Sequence, residues 1–199
     1  GGWTADASGE VDDIFYVAVF PDGIPQPVSI NAILDNGHLY SRYLGDKVIE
    51  AAKYYYMNDK GLEEPVAIVN GIYCSSIDEA FRIANDCSGD SLIGLLDDCS
   101  PESAINITNT TGRITLDLYG CVLTLNSNFI HMDTEGADLR ITDSYLSGRI
   151  EQDTDEADIA NISAGTLQIE AALKSTCNNP ILRIRGGEVN ISGDASLTH

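Results

Sequence analysis

From Arg113 to Leu125 the chain reads RITLDLYGCVLTL. Ile114, Leu116 and Leu118 alternate with Thr115 and Asp117, Tyr119-Gly120 breaks the run, and Cys121, Leu123 and Leu125 resume it. A period of two marks short strands with one face turned to a core. Such segments return downstream. One series, 114–116, 139–141, 159–162 and 182–184, has starting positions 25, 20 and 23 residues apart. A second, 123–125, 146–150, 167–169 and 189–191, has steps of 23, 21 and 22. Ile130, Asp158 and Ile181 trace a fainter third. Two registers with one period near 22 require at least two strands per coil, stacked in parallel on their equivalents one coil away. Turn pairs fall between them: Tyr119-Gly120, Ser147-Gly148, Ala164-Gly165 and Gly186-Gly187. A β-sandwich also has many short strands, but nothing in it demands this period.

Residues 1–65 lack the repeat and read as a small α+β region of two strands and a helix. Residues 13–20, DIFYVAVF, form an aromatic, β-branched strand. PDGIPQP reads as a loop, because prolines do not pair inside a sheet. Residues 28–34 give the second strand, ended by Asp35-Asn36-Gly37. Asp46 is placed to cap a helix to about Met57, with Val48, Ile49, Ala52, Tyr55 and Tyr56 on one face. Glu63-Glu64-Pro65 is the expected boundary. Beyond it, 66–69 is a short strand and Asn70-Gly71 a tight turn. Ser76 and Glu79 form a capping box ahead of a helix with Ile77, Ala80, Phe81 and Ala84 on its apolar face. That helix should close the N-terminal end of the solenoid. Residues 92–96 are an apolar strand.

The stretch VNGIYCSSIDEAF, 69–81, followed by ITLDLYGCVLTL, 114–125, resembles the opening of pectin-lyase-like right-handed parallel β-helices of bacterial cell-surface and secreted proteins. Leu95-Leu96 stands where those carry a Leu-Leu pair. Tyr119 replaces the usual Asn, and Cys121 the common Lys or His. The resemblance covers about 66–199. It implies a mainly β fold, a right-handed parallel β-helix capped by a short helix. It also implies a secreted or cell-surface, adhesin-like setting. It says little of chemistry, since the same opening precedes adhesins, stalks and polysaccharide-active enzymes. The closing GDASLTH stops within the pattern, which reads as a β-helix cut short.

Charge narrows the partners. Eleven basic against thirty-one acidic side chains give a net −20. Such a field repels nucleic acid and anionic lipid, so neither nucleic-acid binding nor membrane insertion is expected. The expected partner is a polysaccharide or host surface glycan. The densest acidic run is 151–158, EQDTDEAD, where Asp153 and Asp155 have the opening spacing of a calcium loop. Ala157 and Asp158 fail the remaining EF-hand positions, so a solvated loop is preferred over calcium at Asp153, Asp155 and Asp158. Asp117 should point outward, with Asp143 near it on a neighbouring coil. His38, His131 and His199 share no metal spacing, and no zinc, haem, flavin or nucleotide motif is present. Asn106, Asn109, Asn161 and Asn190 begin N-x-[ST] triplets.

The five cysteines include no CxxC pair. If one disulfide forms, a strand returning beside the capping helix would bring Cys99 to Cys74; Cys121 should be a reduced core residue. With no catalytic residues singled out, the first reading is a non-catalytic structural or adhesive module. The alternative is the N-terminal part of a polysaccharide lyase or glycoside hydrolase whose catalytic coils lie further on.

Overall fold

A computed structural model describes residues 26–33, 37, 39–47, 65–155, 157–193 and 195–198; of 26–33 and 39–47 it describes the backbone alone. The expected strand at 13–20, most of the helix after Asp46, the tyrosines at 54–56, His38 and His199 lie outside the described residues. Near the start, β1 (Gln26–Ile33) and β2 (Leu39–Lys47) pair antiparallel, with a register shift between Pro27 and Ser29. Two expectations are corrected here. Pro27 is in a strand, tolerated beside the irregularity where a ladder hydrogen bond is already missing. Asp46 pairs with Pro27 in the ladder and so is no helix cap.

From Ser91 onward the described chain is a parallel β-solenoid. It is preceded by β3 (Ala67–Val69), a turn at Asn70-Gly71, β4 (Ile72–Cys74) and helix α1 (Ile77–Asp86). Strand β3 pairs antiparallel with β4 and with the first solenoid strand, which begins at Ser91. Three strands per coil follow. The first sheet stacks β5 (Ser91–Leu95), β7 (Arg113–Asp117), β10 (Asp138–Thr142), β13 (Thr166–Ile169) and β16 (Glu188–Ile191), all parallel. The second stacks β8 (Val122–Thr124), β11 (Arg149–Gln152), β14 (Ala172–Ser175) and β17 (Ser196–Thr198), with Cys99 bridging to Leu123 above. The third stacks β6 (Ile105–Asn106), β9 (Ile130–Met132), β12 (Ala160–Ile162) and β15 (Leu182–Ile184).

The sequence predicts two strand series, and the structure sorts them into three. Residues 114–116 and 139–141 belong to the first sheet, but 159–162 and 182–184 belong to the third; 167–169 and 189–191 belong to the first rather than the second. The cause is unequal coil length. Ser91, Ile114, Leu139, Leu167 and Val189 are successive rungs, with steps of 23, 25, 28 and 22 residues. Adding 22 to Leu139 therefore falls short of Leu167 and lands on the third sheet. The faint series of Ile130, Asp158 and Ile181 marks that third sheet: Ile130 donates to Ile159, and Ile159 to Ile181.

Inward positions fill a single core. Ile114, Leu116, Leu139, Ile141, Leu167 and Ile169 are buried as expected. Leu182 and Ile184 are not: Leu182 is half-buried and Ile184 is 54% exposed. Their rung partners Ala160 and Ile162 are buried, but no described residue packs on the far side of β15. At the other end α1 supplies a cover. Ser76 accepts from the Glu79 backbone, and Glu79 reaches back to the Ser75 N–H at 3.1 Å. Ile77, Ala80, Phe81, Ile83 and Ala84 are buried in the core beneath it. Polar side chains of α1 also meet the first coil's backbone. Asp78 accepts from Glu102 and Ser103, and Asn85 accepts from Thr108 and donates to Asn106 at 2.8 Å. Buried Asn109 completes the joint, donating to the carbonyls of Ala84, Cys87 and Gly89.

Phe81 is 3% exposed, so Phe81→Ala should destabilise the protein by about 3–5 kcal/mol in denaturant unfolding. A loss well under about 1 kcal/mol would mean that α1 is a loose appendage.

Candidate functional site

Acidic side chains sit at the corners between strands, and most of those singled out by the sequence are used inside the fold. Asp117 and Asp143 are each 5% exposed. This corrects the outward placement of Asp117, which closes the end of β7 instead of facing water. Its carboxylate accepts from the Tyr119 and Ser144 N–H groups and from the Ser144 hydroxyl. Asp143, on the next coil as expected, accepts from Gly120 at 2.7 Å, Gly148 at 2.6 Å and Tyr145 at 3.3 Å. Each carboxylate thus holds amides of both its own coil and a neighbour. Elsewhere Asp90, Asp98 and Asp155 each accept one amide of the following coil, from Arg113, Val122 and Asn178.

The three aspartates weighed for calcium have separate surroundings. Asp153 is exposed, and Asp155 holds the Asn178 N–H at 2.7 Å. Asp158 is buried, with both oxygens on the Arg183 guanidinium, at 2.5 and 3.2 Å. Among the described residues no three His, Cys, Asp or Glu side chains converge on a metal position. Likewise, no described helix is long and apolar enough to cross a membrane.

All five cysteines are free. The Cys74–Cys99 pairing does not form: Cys74 ends β4 opposite Ala67 at the edge of the first sheet, whereas Cys99 bridges to Leu123 on the second sheet, and both thiols are free. Burial pushes the Cys74 and Cys99 thiols up to about 12, with Glu79 adding for Cys74 and nearby Cys121 for Cys99. Cys121 is half-buried rather than inward, because the turn at Tyr119-Gly120 shifts the alternation before it resumes at Leu123.

Two surface features remain. The first is an aromatic corner between the first and second sheets. Tyr119 and Tyr145 meet edge to face, ring centroids 6.0 Å apart. Tyr145 and Leu146 are 71% and 70% exposed. Tyr119 and Leu146 adopt positive φ, +47° and +59°, a region unfavourable for side chains with a Cβ and held here by the Asp143 hydrogen bonds. The Tyr119 ring lies directly over Gly94, where any Cβ would collide with it. Both tyrosines belong to turns, so strand periodicity gave no signal for their meeting.

The second feature is a groove of about 330 Å³ on the outer face of the third sheet. Asn106, His131, Asn161 and Arg183 are successive outward rungs there. Phe129 meets His131 edge to face at 5.8 Å, and Arg185 is among the residues lining the groove. His131 Nε2 is 3.3 Å from Asp133. Sequence reading noted His131 but could not connect it to arginines more than fifty residues away.

Comparison with protein-family models, with curated proteins and with solved structures finds no match at a significant level. The solenoid architecture therefore stands on the geometry itself, and the likeness to pectin-lyase-like proteins carries no family assignment.

Asp143→Ala leaves three N–H groups without their charged acceptor and should destabilise by about 3 kcal/mol; Asp143→Asn, which keeps one acceptor oxygen, should lose less in the same chemical denaturation. Because Arg183 occupies both oxygens of Asp158, millimolar calcium should leave the melting temperature unchanged; a rise of several degrees would show a calcium site. Native alkylation at pH 8 should spare Cys74 and Cys99 until the protein unfolds, and non-reducing peptide maps should show no bridge between them. The hydrogen bond from Arg140 holds Glu170 below its ordinary value near 4.5. A depressed acid stabilises the fold above that value and loses the contribution as pH falls through the lower, folded one. Glu170→Gln should therefore flatten the stability profile below about pH 4.5, measured by melting temperature against pH.

Proposed function

We propose that the chain is a non-catalytic structural module of a secreted or cell-surface protein: a stiff spacer that contacts glycans at its aromatic corner. The observation that carries the reading is the employment of its carboxylates. Asp117, Asp143, Asp155 and Asp158 each hold backbone amides or a guanidinium within or between coils. Acid–base or metal chemistry would need such groups free to meet a substrate. Parallel ladders running through three sheets make a rod resistant to bending, which suits a spacer.

The glycan contact rests on Tyr119, Tyr145 and Leu146. A large exposed aromatic beside an aliphatic side chain offers the apolar faces of a sugar ring a flat surface, while the phenol oxygens offer hydrogen bonds to hydroxyls. Backbone strain at Tyr119 and Leu146 maintains that display. The extracellular setting rests on the resemblance of 69–81 and 114–125 to openings found in such proteins.

A glycan array probed with the protein and with Tyr145→Ala tests both halves. We expect retention of a set of neutral glycans by the parent and its loss in the variant, with bound glycans recovered at full length. Shortened glycans would overturn the non-catalytic reading, and equal binding by Tyr145→Ala would overturn the placement at the corner.

A further inference from the structure

The aromatic corner sits in a negative field that no basic side chain offsets, and this narrows the glycan it takes. The Tyr119 ring lies over Gly94, and Leu92 and Leu96, two residues to either side of Gly94, are exposed on the same outer face. Tyr145 on the next coil continues the apolar strip, which crosses three coils. Four carboxylates accompany it. Asp117 and Asp143 hold the two turns through the N–H groups of Tyr119 and Tyr145. Asp97 and Asp98 follow Leu96 directly and are exposed. Asp98 accepts from Val122, three residues beyond Tyr119, and Asp97 accepts from the Asp98 N–H.

Among the described residues no lysine or arginine forms an ion pair with any of these four. The arginines on neighbouring rungs are already paired, Arg140 with Glu170 and Arg149 with Glu151. By contrast, Asp138 and Asp158 are each met by an arginine. Negative charge is thus concentrated around an exposed apolar surface, and the net −20 of the chain reinforces it. The face of a tyrosine ring also carries negative potential and attracts a cation. A ligand for this corner therefore combines an apolar face with positive charge.

We propose that the corner selects amino sugars, taking glycans whose hexosamines carry a free, protonated amine. The apolar face of one ring packs on Tyr145 and Leu146, and the ammonium groups are drawn to the carboxylates along the strip. The inference rests on the glycan contact proposed above and adds the charge of the sugar to it.

Isothermal titration in mildly acidic buffer of low ionic strength tests it. The probe is the tetramer of β-linked glucosamine. Its N-acetylated form and the glucose tetramer lack the charge, and tetralysine has the charge without the sugar. The amino tetramer should bind about tenfold more tightly than either neutral sugar, and salt at about 1 M should remove the difference. Tyr145→Ala should weaken all three sugars. Asp97→Asn combined with Asp98→Asn should bring the amino tetramer down to the neutral sugars and leave those unchanged, with melting within a few degrees of the parent. If the double variant does not fold, Asp97→Asn alone should still reduce the preference. Equal binding of the amino and acetylated tetramers would overturn the inference and leave the glycan contact standing, whereas binding of no sugar would overturn both. Tetralysine binding as tightly as the amino tetramer, or amino-tetramer binding undiminished in Tyr145→Ala, would show general adsorption to an acidic protein and overturn the inference.

Discussion

One coil of a parallel solenoid cannot satisfy its own backbone. Every strand's N–H and C=O groups point along the stack, so each rung is completed by the coil above and the coil below. The same holds for the core, since each layer of inward side chains is sealed by the next. Stability is thus a property of neighbours, and the difficult places are the corners, where ladders stop, and the ends, where a neighbour is missing. At the corners the sequence supplies Asp and Asn. At the N-terminal end it supplies α1, whose Asp78 and Asn85 accept the first coil's amides while its apolar face covers the core. Around β15 to β17 no described residue does this, and Ile184, Ile191 and Leu197 remain exposed.

The acidity of the chain takes a structural meaning from this constraint. A short carboxylate at a corner can accept two or three amides that no ladder reaches, and a charged acceptor makes those bonds stronger than neutral ones. Asp117 accepts two and Asp143 three, while Asp90, Asp98 and Asp155 each accept one amide of the following coil. Part of the net charge is therefore the by-product of holding coils together. The arginines on the outer faces pair with other carboxylates across rungs, as Arg113 does with Asp138 and Arg140 with Glu170.

Much of this was legible in the sequence. Alternation of period two located most strands of the first and second sheets, and the capping box placed α1 to within a residue. What the sequence concealed has physical causes. Strands of two or three residues, such as β6 and β4, carry too few alternations to stand out. Two third-sheet strands, 159–162 and 182–184, fell into the first series because unequal coil lengths blur a single period. Outward assignment of Asp117 failed because period two holds only inside a strand, and Asp117 is the last residue of β7. The groove joins residues from three coils, and the aromatic corner joins two turns; neither leaves a local pattern.

Both surface features arise where coil length departs most from its usual value. Ile130 and Ala160 are neighbouring rungs thirty residues apart, against twenty-two from Ala160 to Leu182. Extra residues cannot enter a ladder without shifting every rung that follows, so they must leave the stack as turns. One such turn lies between β10 and β11 and carries Tyr145 and Leu146, fixed by Asp143. The other lies between β11 and β12 and carries Ala157 and Asp158, which line the groove, with Asp155 tied to the following coil. In each case the aspartate that repairs the corner also sets the direction of the displaced segment. Repairing the ladder and presenting a surface are then one operation, and this is how a repetitive scaffold acquires distinct sites without disturbing the rungs on either side.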